Sequence, residues 1–327
     1  MKHFNIFIDG NQGTTGLELE KVIKEQKKNK NYKLNIIKLP EKNRKSLPAR
    51  LKMIEQSDIT VLCLPDEVAK KTIEAIEKSK IDKKSLKIID TSTAFRVEKN
   101  WTYGFKEIAK QSEKISKSHY VSNPGCYALA FITSIRPLSE AKLWKGSPIL
   151  TAIGASGYSG GGKKLIGLAK KKDFPPYALY SLNLNHKHLK EMQTYALLKK
   201  TPIFQPTVVS DYRGMIVSTA ISNDQIGAKT KNLSQTIFDV LKNYYAKSER
   251  IKIKKAFSEQ EKSTPREDEK LIDKKFLSFS SNNHTNTLDI IVAGNENYCM
   301  LHARLDNLGI GAARNALENL LLMVKNL

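Results

Sequence analysis

Cys126 has the clearest chemical potential in this sequence, because it directly follows Asn-Pro-Gly at the start of a predicted helix. Asn123 is a favoured N-cap residue and Pro124 suits the first helical position, which places Cys126 in the predicted first turn. The free N–H groups and the positive end of a helix stabilise a thiolate there. We therefore predict that Cys126 is a nucleophile, whereas Cys63 and Cys299 fit the commoner role of small buried hydrophobes.

A cysteine nucleophile needs a proton-transfer partner, and His186 and His188 lie close together in the sequence with Glu191 shortly after them. On a helix, residues three apart share a face, so Glu191 would orient His188. If the segment begins in an extended conformation, His186 would point into the site instead. Spacing leaves both histidines open, and two surface histidines at a helix start are the non-catalytic alternative.

A glycine-rich stretch, Gly10–Gly16, joins the first predicted strand to the first predicted helix. Glycines let the backbone turn tightly and approach a pyrophosphate, whose charge is held by amide groups at the helix N-terminus. After the second predicted strand, Arg44 and Lys45 follow Glu41 and suit a 2′-phosphate, so we expect NADP rather than NAD. An exposed basic loop is the alternative for these two residues.

The elements that must position these residues follow from the hydrophobic pattern. Over the first third of the chain, short apolar runs alternate with amphipathic stretches, which predicts an α/β fold with a doubly wound parallel sheet. After Cys126 the predicted strands are longer and alternate in polarity, which indicates a mixed or antiparallel sheet in a second domain. A helical pattern returns from Gly309, and residues 258–275 are the most polar, loop-like segment.

Composition argues against several classes of protein. The chain has 327 residues, 40% hydrophobic and 27% charged, enough for two folded domains. Its net charge of +22 would suit nucleic acid, but the lysines are spread without interleaved aromatic residues, so we expect no nucleic-acid partner. The sequence has neither a signal-peptide pattern nor an apolar run of about 18 residues, which predicts a cytoplasmic protein without a membrane partner. Three cysteines at irregular spacing indicate neither disulfides nor zinc, and we predict no metal site.

Several motifs follow one another as they do in N-acetyl-gamma-glutamyl-phosphate reductases, and the whole chain resembles the shorter form of that family. The motifs are DGNQGTTGLELE, VLCLPDE, DTSTAFR, WTYGFKE, SNPGCY, SGYSGGGK, NHKHLKEM, RGM and ARLDNLGIGAA. The resemblance implies a Rossmann-type NADP-binding domain over residues 1–122 and an α+β catalytic and oligomerisation domain, like that of semialdehyde dehydrogenases, over residues 123–303. It also implies a C-terminal helix over residues 304–327 that returns to the first domain, and a homodimer or homotetramer paired through the second domain's sheet.

The activity implied by the resemblance is the NADPH-dependent reduction of an acyl phosphate in arginine biosynthesis. The substrate would be N-acetylglutamyl 5-phosphate and the products N-acetylglutamate 5-semialdehyde and phosphate. Cys126 would attack the acyl phosphate, expel phosphate and leave a thioester that accepts hydride. By resemblance, His186 is the first choice for the acid/base, with Glu191 holding it, and His188 is the second choice.

The resemblance also assigns residues to binding. The pyrophosphate would be cradled by Gly10, Gly13, Thr14, Thr15 and Gly16. The other cofactor-binding residues would be Arg44, Lys45, Ser92, Ser156, Gly157 and Asn307, and the substrate-binding residues would be Arg96, Asn123 and Ser159. Asn319 would also reach the nicotinamide. Ile310 replaces a lysine that is usual in the family, which removes a positive charge from the expected cofactor side.

Three alternatives stay open at this level. A related semialdehyde dehydrogenase would act on another acyl phosphate, such as aspartyl phosphate or a carrier-linked aminoadipyl phosphate. A non-catalytic descendant would keep nucleotide binding without turnover. RNA binding through the basic surface is the third.

Overall fold

The computed structural model describes residues 1–26, 31–227, 230–256 and 276–327. By its internal contacts the chain divides into two units. The first unit holds residues 1–125 and 311–327, and the second unit holds residues 126–310. The domain boundaries expected after residues 122 and 303 stay predictions. The polar segment 258–275 lies outside the described residues.

The first unit is built on a six-stranded parallel sheet. Its strands are β1 (Lys2–Asp9), β2 (Tyr32–Ile37), β3 (Ile59–Leu62), β4 (Ile88–Asp90), β5 (Thr102–Tyr103) and β6 (Tyr120–Ser122), in the order β2-β1-β3-β4-β6-β5. Every residue of β3 and β4 is buried, as expected for parallel strands covered on both faces, and this explains their short continuous apolar runs. The predicted doubly wound parallel sheet is confirmed.

Helices from both ends of the chain cover this sheet. They are α1 (Thr14–Glu25), α2 (Leu47–Glu55), α3 (Asp66–Lys78), α4 (Gln111–Lys117) and the C-terminal helix α9 (Arg314–Val324). Ala316, Leu320 and Met323 of α9 lie in one hydrophobic cluster with Ile6 of β1 and Leu19 of α1. Burial of this apolar face therefore holds the C-terminal helix in the first unit.

The second unit contains a seven-stranded mixed sheet. Its strands are β7 (Thr151–Gly157), β8 (Tyr177–Leu179), β9 (Ile203–Val209), β10 (Met215–Ser222), β11 (Ile251–Lys255), β12 (Leu288–Gly294) and β13 (Tyr298–Leu305), in the order β11-β12-β13-β10-β7-β9-β8. Two neighbouring pairs, β7 with β9 and β11 with β12, are parallel, and the other pairs are antiparallel. The predicted mixed sheet is confirmed.

The described residues of the second unit form four α-helices: α5 (Cys126–Glu140), α6 (Gly162–Ala169), α7 (Leu189–Tyr195) and α8 (Leu233–Tyr244). Helix α5 packs against β10 and β13 and also contacts α7 and α8. In the described ranges, no helix is long and apolar enough to cross a membrane. The same residues include no group of three or more His, Cys, Asp or Glu side chains that could hold a metal ion.

Candidate active site

Cys126 is the first residue of α5 and is partly exposed. The helix forms there because a nearly continuous apolar run, from Tyr127 to Ile135, can be buried on all sides. Burial raises the pKa of the other two thiols, Cys63 and Cys299, to about 12. Those two cysteines stay protonated at physiological pH, which leaves Cys126 as the candidate nucleophile.

The side chain of Asn123, the predicted N-cap residue, bonds to the C-terminal part of the chain. The amide nitrogen of Asn123 donates to the carbonyl oxygen of Ala312 at 3.2 Å, and its oxygen accepts from the amides of Asn315 and Asn319 at 2.9 and 3.1 Å. Both amides also donate to the carbonyl oxygen of Gly104. Asn123 is only 1% exposed, so its side chain ties the segment before the nucleophile to α9.

Tyr127 follows the nucleophile and lies on the sheet of the second unit. Its ring occupies the space where a side chain on Gly154 would be, because a Cβ there would come within 2.5 Å of the ring. The Tyr127 hydroxyl donates to the carbonyl oxygen of Thr207 at 2.8 Å. Glycine in β7 thus fixes the first turn of α5 against the sheet.

His186 and His188 meet beside Tyr127. The ring centroids of His186 and His188 are 4.7 Å apart, and they lie 5.8 and 6.3 Å from the Tyr127 ring. The backbone N–H of His188 donates to Nδ1 of His186 at 3.3 Å. In the neutral imidazole the proton is then on Nε2.

Tyr180 links the cysteine to the histidines. Its ring centroid lies 5.9 Å from that of His186. Burial raises the pKa of Tyr180 to about 12, and the negative charge of Cys126 contributes to the increase. Burial also raises the pKa of Tyr127 well above its usual value, with Tyr180 and the Cys126 charge adding to the effect. The nucleophile and His186 therefore lie beside the same two neutral tyrosines.

Glu191 lies on α7 and is 2% exposed. Burial raises the pKa of Tyr195 to about 12, with the charge of Glu191 as the second cause and Arg136 opposing both. Arg136 also donates to the carbonyl oxygen of Tyr195 at 2.8 Å and to Glu140 at 2.6 Å. The carboxylate of Glu191 is thus held in the interior of the second unit, one helical turn from Tyr195.

The glycine-rich loop after β7 is held rigidly inside the second unit. Asn307 donates from its amide nitrogen to Oγ of Ser159 at 2.9 Å and accepts from the N–H of Gly214 at 2.9 Å. A Cβ on Gly157 would come within 2.7 Å of the backbone of Tyr212 and Arg213, in the turn between β9 and β10, so only glycine fits. Ser156, whose Oγ donates to the carbonyl oxygen of Gly157, is 4% exposed. These predicted site residues form one cluster in which Asn307 secures the loop.

A pocket of about 510 Å³ in the first unit brings the predicted cofactor residues together. Its lining includes Gly10 and Gly13 of the glycine-rich turn, Arg44 and Lys45 after β2, and the backbone after β3. Arg44 forms an exposed ion pair with Glu41 at 3.6 Å. Two sequence segments more than 25 residues apart thus meet at the carboxyl end of β1 and β2, where doubly wound sheets bind nucleotides.

The start of α1 fits a bound pyrophosphate. The Oγ1 atom of Thr14 is buried and has no hydrogen-bond partner among the described residues. The N-cap residue is Gly13, which supplies no side chain to satisfy the first N–H groups of the helix. A Cβ on Gly16 would lie 2.6 Å from the carbonyl oxygen of Gly10, so a tight turn is required. Thr15 is the second residue of the helix, and the turn offers free donors to an anion.

Ser92 and Arg96, two further predicted binding residues, are engaged within the first unit. Ser92 donates through both its N–H and its hydroxyl to the Oδ2 atom of Asp90, at 3.0 and 2.6 Å. Arg96 donates to the carbonyl oxygens of Asn123 and Thr91 at 3.0 and 3.1 Å. Both side chains are more than nine-tenths buried. The contacts of Arg96 hold the backbone that leads to the nucleophile.

Sequence reasoning missed four residues that these contacts bring forward: Tyr127, Tyr180, Asp90 and Arg50. Tyr180 lies six residues before His186, a spacing without helical or strand periodicity that would join them. Asp90 is a charged residue in an apolar strand, and Arg50 is a charged residue in an amphipathic helix. A charge at such a position was the sequence signal that could have identified them. Ile310, which replaces the expected lysine, is 0% exposed, and its burial explains why an apolar side chain fits at this position.

Comparisons with known proteins match both units. A family model described as semialdehyde dehydrogenase, NAD binding domain, matches residues 5–118. A second model, semialdehyde dehydrogenase, dimerisation domain, matches residues 126–307. The first match identifies the first unit as a domain that binds a nicotinamide dinucleotide.

Solved structures with the same fold include aspartate semialdehyde dehydrogenases. The one from Francisella tularensis has a TM-score of 0.72 at 13% identity, with 98% of this chain and 100% of the other covered. Aspartate semialdehyde dehydrogenase II from Vibrio cholerae has a TM-score of 0.68 at 14% identity, with 99% of each chain covered. At these identities the likeness establishes the fold alone.

Several proteins are much more similar to this chain in sequence than these solved structures are. The N-acetyl-gamma-glutamyl-phosphate reductase of Rhizobium etli is 35% identical, with 98% of each chain covered. The N-acetyl-gamma-glutamyl-phosphate reductase 2 of Nostoc sp. is 33% identical, with 98% of this chain and 96% of the other covered. A Brucella ovis protein of the same name as the first is 35% identical over 98% of each chain. Similarity of this extent shows that the chain belongs to the N-acetyl-gamma-glutamyl-phosphate reductase family of semialdehyde dehydrogenases.

Proposed function

We propose that this protein reduces N-acetylglutamyl 5-phosphate to N-acetylglutamate 5-semialdehyde and phosphate with NADPH, as a step of arginine biosynthesis. The observation that carries the proposal is the full-length similarity, at 33 to 35% identity, to enzymes named for this activity. The position of Cys126 at the start of α5, and of His186 beside Tyr127 and Tyr180, supports it, because reduction of an acyl phosphate needs a thiol nucleophile and a proton donor.

Cys126 performs the first step. Its thiolate attacks the carbonyl carbon of the acyl phosphate, a carbon–sulfur bond forms, and the carbon–oxygen bond to phosphate breaks, so phosphate leaves with that electron pair. The N-terminal position of Cys126 on the 15-residue helix α5 stabilises the thiolate. Tyr127 and Tyr180, both protonated at neutral pH, add no competing charge beside it.

His186 handles the proton of the second step. When bound, the reduced nicotinamide supplies the hydride that the thioester accepts. Negative charge then develops on the former carbonyl oxygen, and His186, in its imidazolium form, gives a proton to that oxygen and becomes neutral. His186 takes the proton back as the carbon–sulfur bond breaks, which releases the aldehyde and restores the Cys126 thiolate. Glu191 is proposed to hold the histidine pair, and His188 stays the second choice for the acid/base.

The first unit holds the cofactor in this proposal. The turn Gly10–Gly16 binds the pyrophosphate through backbone N–H groups and the hydroxyl of Thr14. Arg44 and Lys45, on the wall of the same pocket, bind the 2′-phosphate and favour NADP over NAD. Ser92, Arg96 and Asn123 act by positioning the backbone around the site.

The loop of the second unit completes the proposed site. Ser156, Gly157 and Ser159 line the reacting end of the cofactor or the acyl phosphate, with Asn307 keeping the loop in place. Backbone N–H groups in such loops stabilise an oxyanion, and loss of one donor typically costs about 2.7–4 kcal/mol of transition-state stabilisation.

Self-association through the second unit belongs to the same proposal. Gly154 faces the Tyr127 ring, so the alternation of β7 turns Ile153 to the opposite face of the sheet, where it is 51% exposed. Ser218 lies next to Ile153 in register on β10. An open sheet face with an exposed isoleucine suits a second copy of the chain, and sedimentation velocity distinguishes monomer, dimer and tetramer.

A spectrophotometric assay tests the reaction in reverse. Purified protein with N-acetylglutamate semialdehyde, phosphate and NADP should generate the absorbance of the reduced nicotinamide, and aspartate semialdehyde in parallel should not. Cys126→Ser should lower activity by about 10³-fold or more, because an alcohol replaces the thiolate. Cys299→Ser is the matched control and should retain activity. Equal rates with both aldehydes, or an active Cys126→Ser variant, would contradict the proposal.

A further inference from the structure

A buried ion pair lies in the wall of the cofactor pocket. Asp9, the last residue of β1, is 4% exposed, and Arg50 of α2 is 6% exposed. The Nε atom of Arg50 donates to Oδ2 of Asp9 at 2.8 Å and to Oδ1 at 3.1 Å, and its Nη2 atom lies 2.7 Å from Oδ2. Both residues line the pocket that also contains Arg44 and Lys45.

Arg50 also joins α2 to α3. Its Nη2 atom donates to the hydroxyl of Thr72, which is fully buried and donates in turn to the carbonyl oxygen of Val68 at 2.7 Å. One guanidinium therefore connects three elements, β1, α2 and α3. Taking such a pair out of water is costly, and hydrophobic residues of the same volume would often stabilise the fold as well. An ion pair here thus points to a positional role.

The segment that leads into α2 is the one that carries Arg44 and Lys45. Backbone hydrogen bonds run from Asn43 to Pro40, from Ser46 to Asn43 and from Arg50 to Ser46, at 2.9, 2.8 and 3.0 Å. The chain from 40 to 50 is thus a continuous series of turns that ends on the helix. Fixing α2 at Arg50 consequently fixes the turn four to six residues earlier.

Among the described residues, no strong contact holds the side chain of Arg44 or of Lys45. Arg44 is half exposed, with an ion pair to Glu41 at 3.6 Å. Exposed pairs of this kind contribute little, and long basic side chains lose entropy when they bind a phosphate. Binding is stronger when the backbone that carries them is already fixed in place.

We propose that Arg50, held by Asp9, is a positioning residue that sets the preference for the 2′-phosphate by fixing the turn that carries Arg44 and Lys45. The inference rests on the proposed use of NADP. Arg50 itself is neutralised by Asp9 and does not supply the charge that binds the phosphate. Its loss should therefore weaken ligands with a 2′-phosphate and leave ligands without one nearly unchanged.

Calorimetric titration with 2′,5′-ADP and with 5′-AMP tests the inference without turnover. For the wild-type protein, the charge-assisted contacts to the 2′-phosphate should make 2′,5′-ADP bind roughly tenfold tighter or more. The double variant D9N/R50M removes both charges together, so no lone charge stays buried. The double variant should reduce the ratio of the 2′,5′-ADP affinity to the 5′-AMP affinity about fivefold. The affinity for 5′-AMP itself should change less than about twofold.

Asp289 and Arg304 provide the matched control. They form a buried ion pair, 3.1 Å between Nη2 and Oδ2, across neighbouring strands of the second unit. The variant D289N/R304M should leave the ligand ratio unchanged. If circular dichroism shows that D9N/R50M does not fold, R50K is the test variant. Lysine has no planar guanidinium with which to contact Asp9 and Thr72 together, so R50K should reduce the ratio of the two nucleotide affinities at least about twofold.

The outcomes separate the two proposals. A wild-type protein that binds both nucleotides equally overturns the NADP assignment and this inference with it. A wild-type preference that persists in D9N/R50M, or in R50K if that variant decides, overturns the inference alone. Equal weakening of both nucleotides overturns it as well, because it indicates only a structural role. A loss confined to 2′,5′-ADP, absent from D289N/R304M, supports it.

Discussion

At the residue scale, the proposed acid/base His186 differs from His188 in its contact with the backbone. The N–H of His188 donates to Nδ1 of His186, and because this contact comes from the backbone it survives changes of the His188 side chain. The structure therefore predicts different consequences for the two histidines.

His186→Gln should lower kcat by roughly 10²–10⁴-fold, because the proton donor is lost while the nucleophile stays. His188→Gln should have a smaller effect, since the backbone contact to His186 remains. Steady-state kinetics with matched substrate and cofactor concentrations measure both values. His119→Gln is the control, because that ring contacts the carbonyl oxygen of Leu86 in the first unit. A larger loss for His188→Gln would reverse the assignment.

At the element scale, the connection from β1 to α1 depends on close approach of backbones. Gly10 has a φ of +87°, and a Cβ there would lie 2.3 Å from the carbonyl oxygen of Cys63 on the neighbouring strand. The glycine thus serves both the left-handed conformation and the packing of β1 against β3. Gly146 has a similar φ of +65°, but no atom lies within 4 Å of its added Cβ.

Alanine substitutions at Gly146 and Gly10 separate the cost of a left-handed backbone from the cost of a steric clash. Gly146→Ala should lower the free energy of unfolding by about 1–2 kcal/mol, the cost of a left-handed alanine. Gly10→Ala should lower it by more, about 3–5 kcal/mol, since the backbone of β3 must also move. Urea unfolding measures both, and calorimetry with 2′,5′-ADP should show loss of nucleotide affinity only for Gly10→Ala. Equal destabilisation would mean that the turn relaxes without cost.

At the scale of the whole molecule, stability should respond to a buried carboxyl group in the first unit. Asp90 is 0% exposed, and burial raises its pKa to about 7, although Ser92 and Arg96 both oppose the increase. Its Oδ1 atom has no hydrogen-bond partner among the described residues, which suits a protonated acid. Between about pH 4 and pH 7, the folded protein therefore keeps a proton that the unfolded chain releases.

Stability from this group is full below the unfolded pKa near 3.8 and is lost as pH rises through about 7. The loss is at most ~4 kcal/mol, from a pKa difference of about three units. In Asp90→Asn, the free energy of unfolding should fall less steeply between pH 5 and pH 8, as measured by urea unfolding at each pH. Asp173→Asn, at an exposed carboxyl group, should keep the wild-type slope. Parallel slopes for the wild type and Asp90→Asn would show that Asp90 is ionised in the folded protein throughout.

Local signals in the sequence led to a large part of this picture. The glycine spacing of residues 10–16 predicted the turn at the end of β1, and the switch from apolar runs to alternating strands predicted two different sheets. Cys126 was located because helix starts have recognisable residues. The helix does begin there, and the structure adds that Asn123 bonds α9, whose residues come from the other end of the chain.

The sequence by itself determined the fold class, the glycine turn and the helix start at Cys126, because each depends on residues adjacent or regularly spaced along the chain. Only the tertiary structure decided that the N–H of His188 bonds Nδ1 of His186, that Tyr180 packs beside His186, and that Asp9 binds Arg50 beside the cofactor pocket. These contacts join residues brought together by sheet order and helix packing, and no spacing in the sequence encodes such distances.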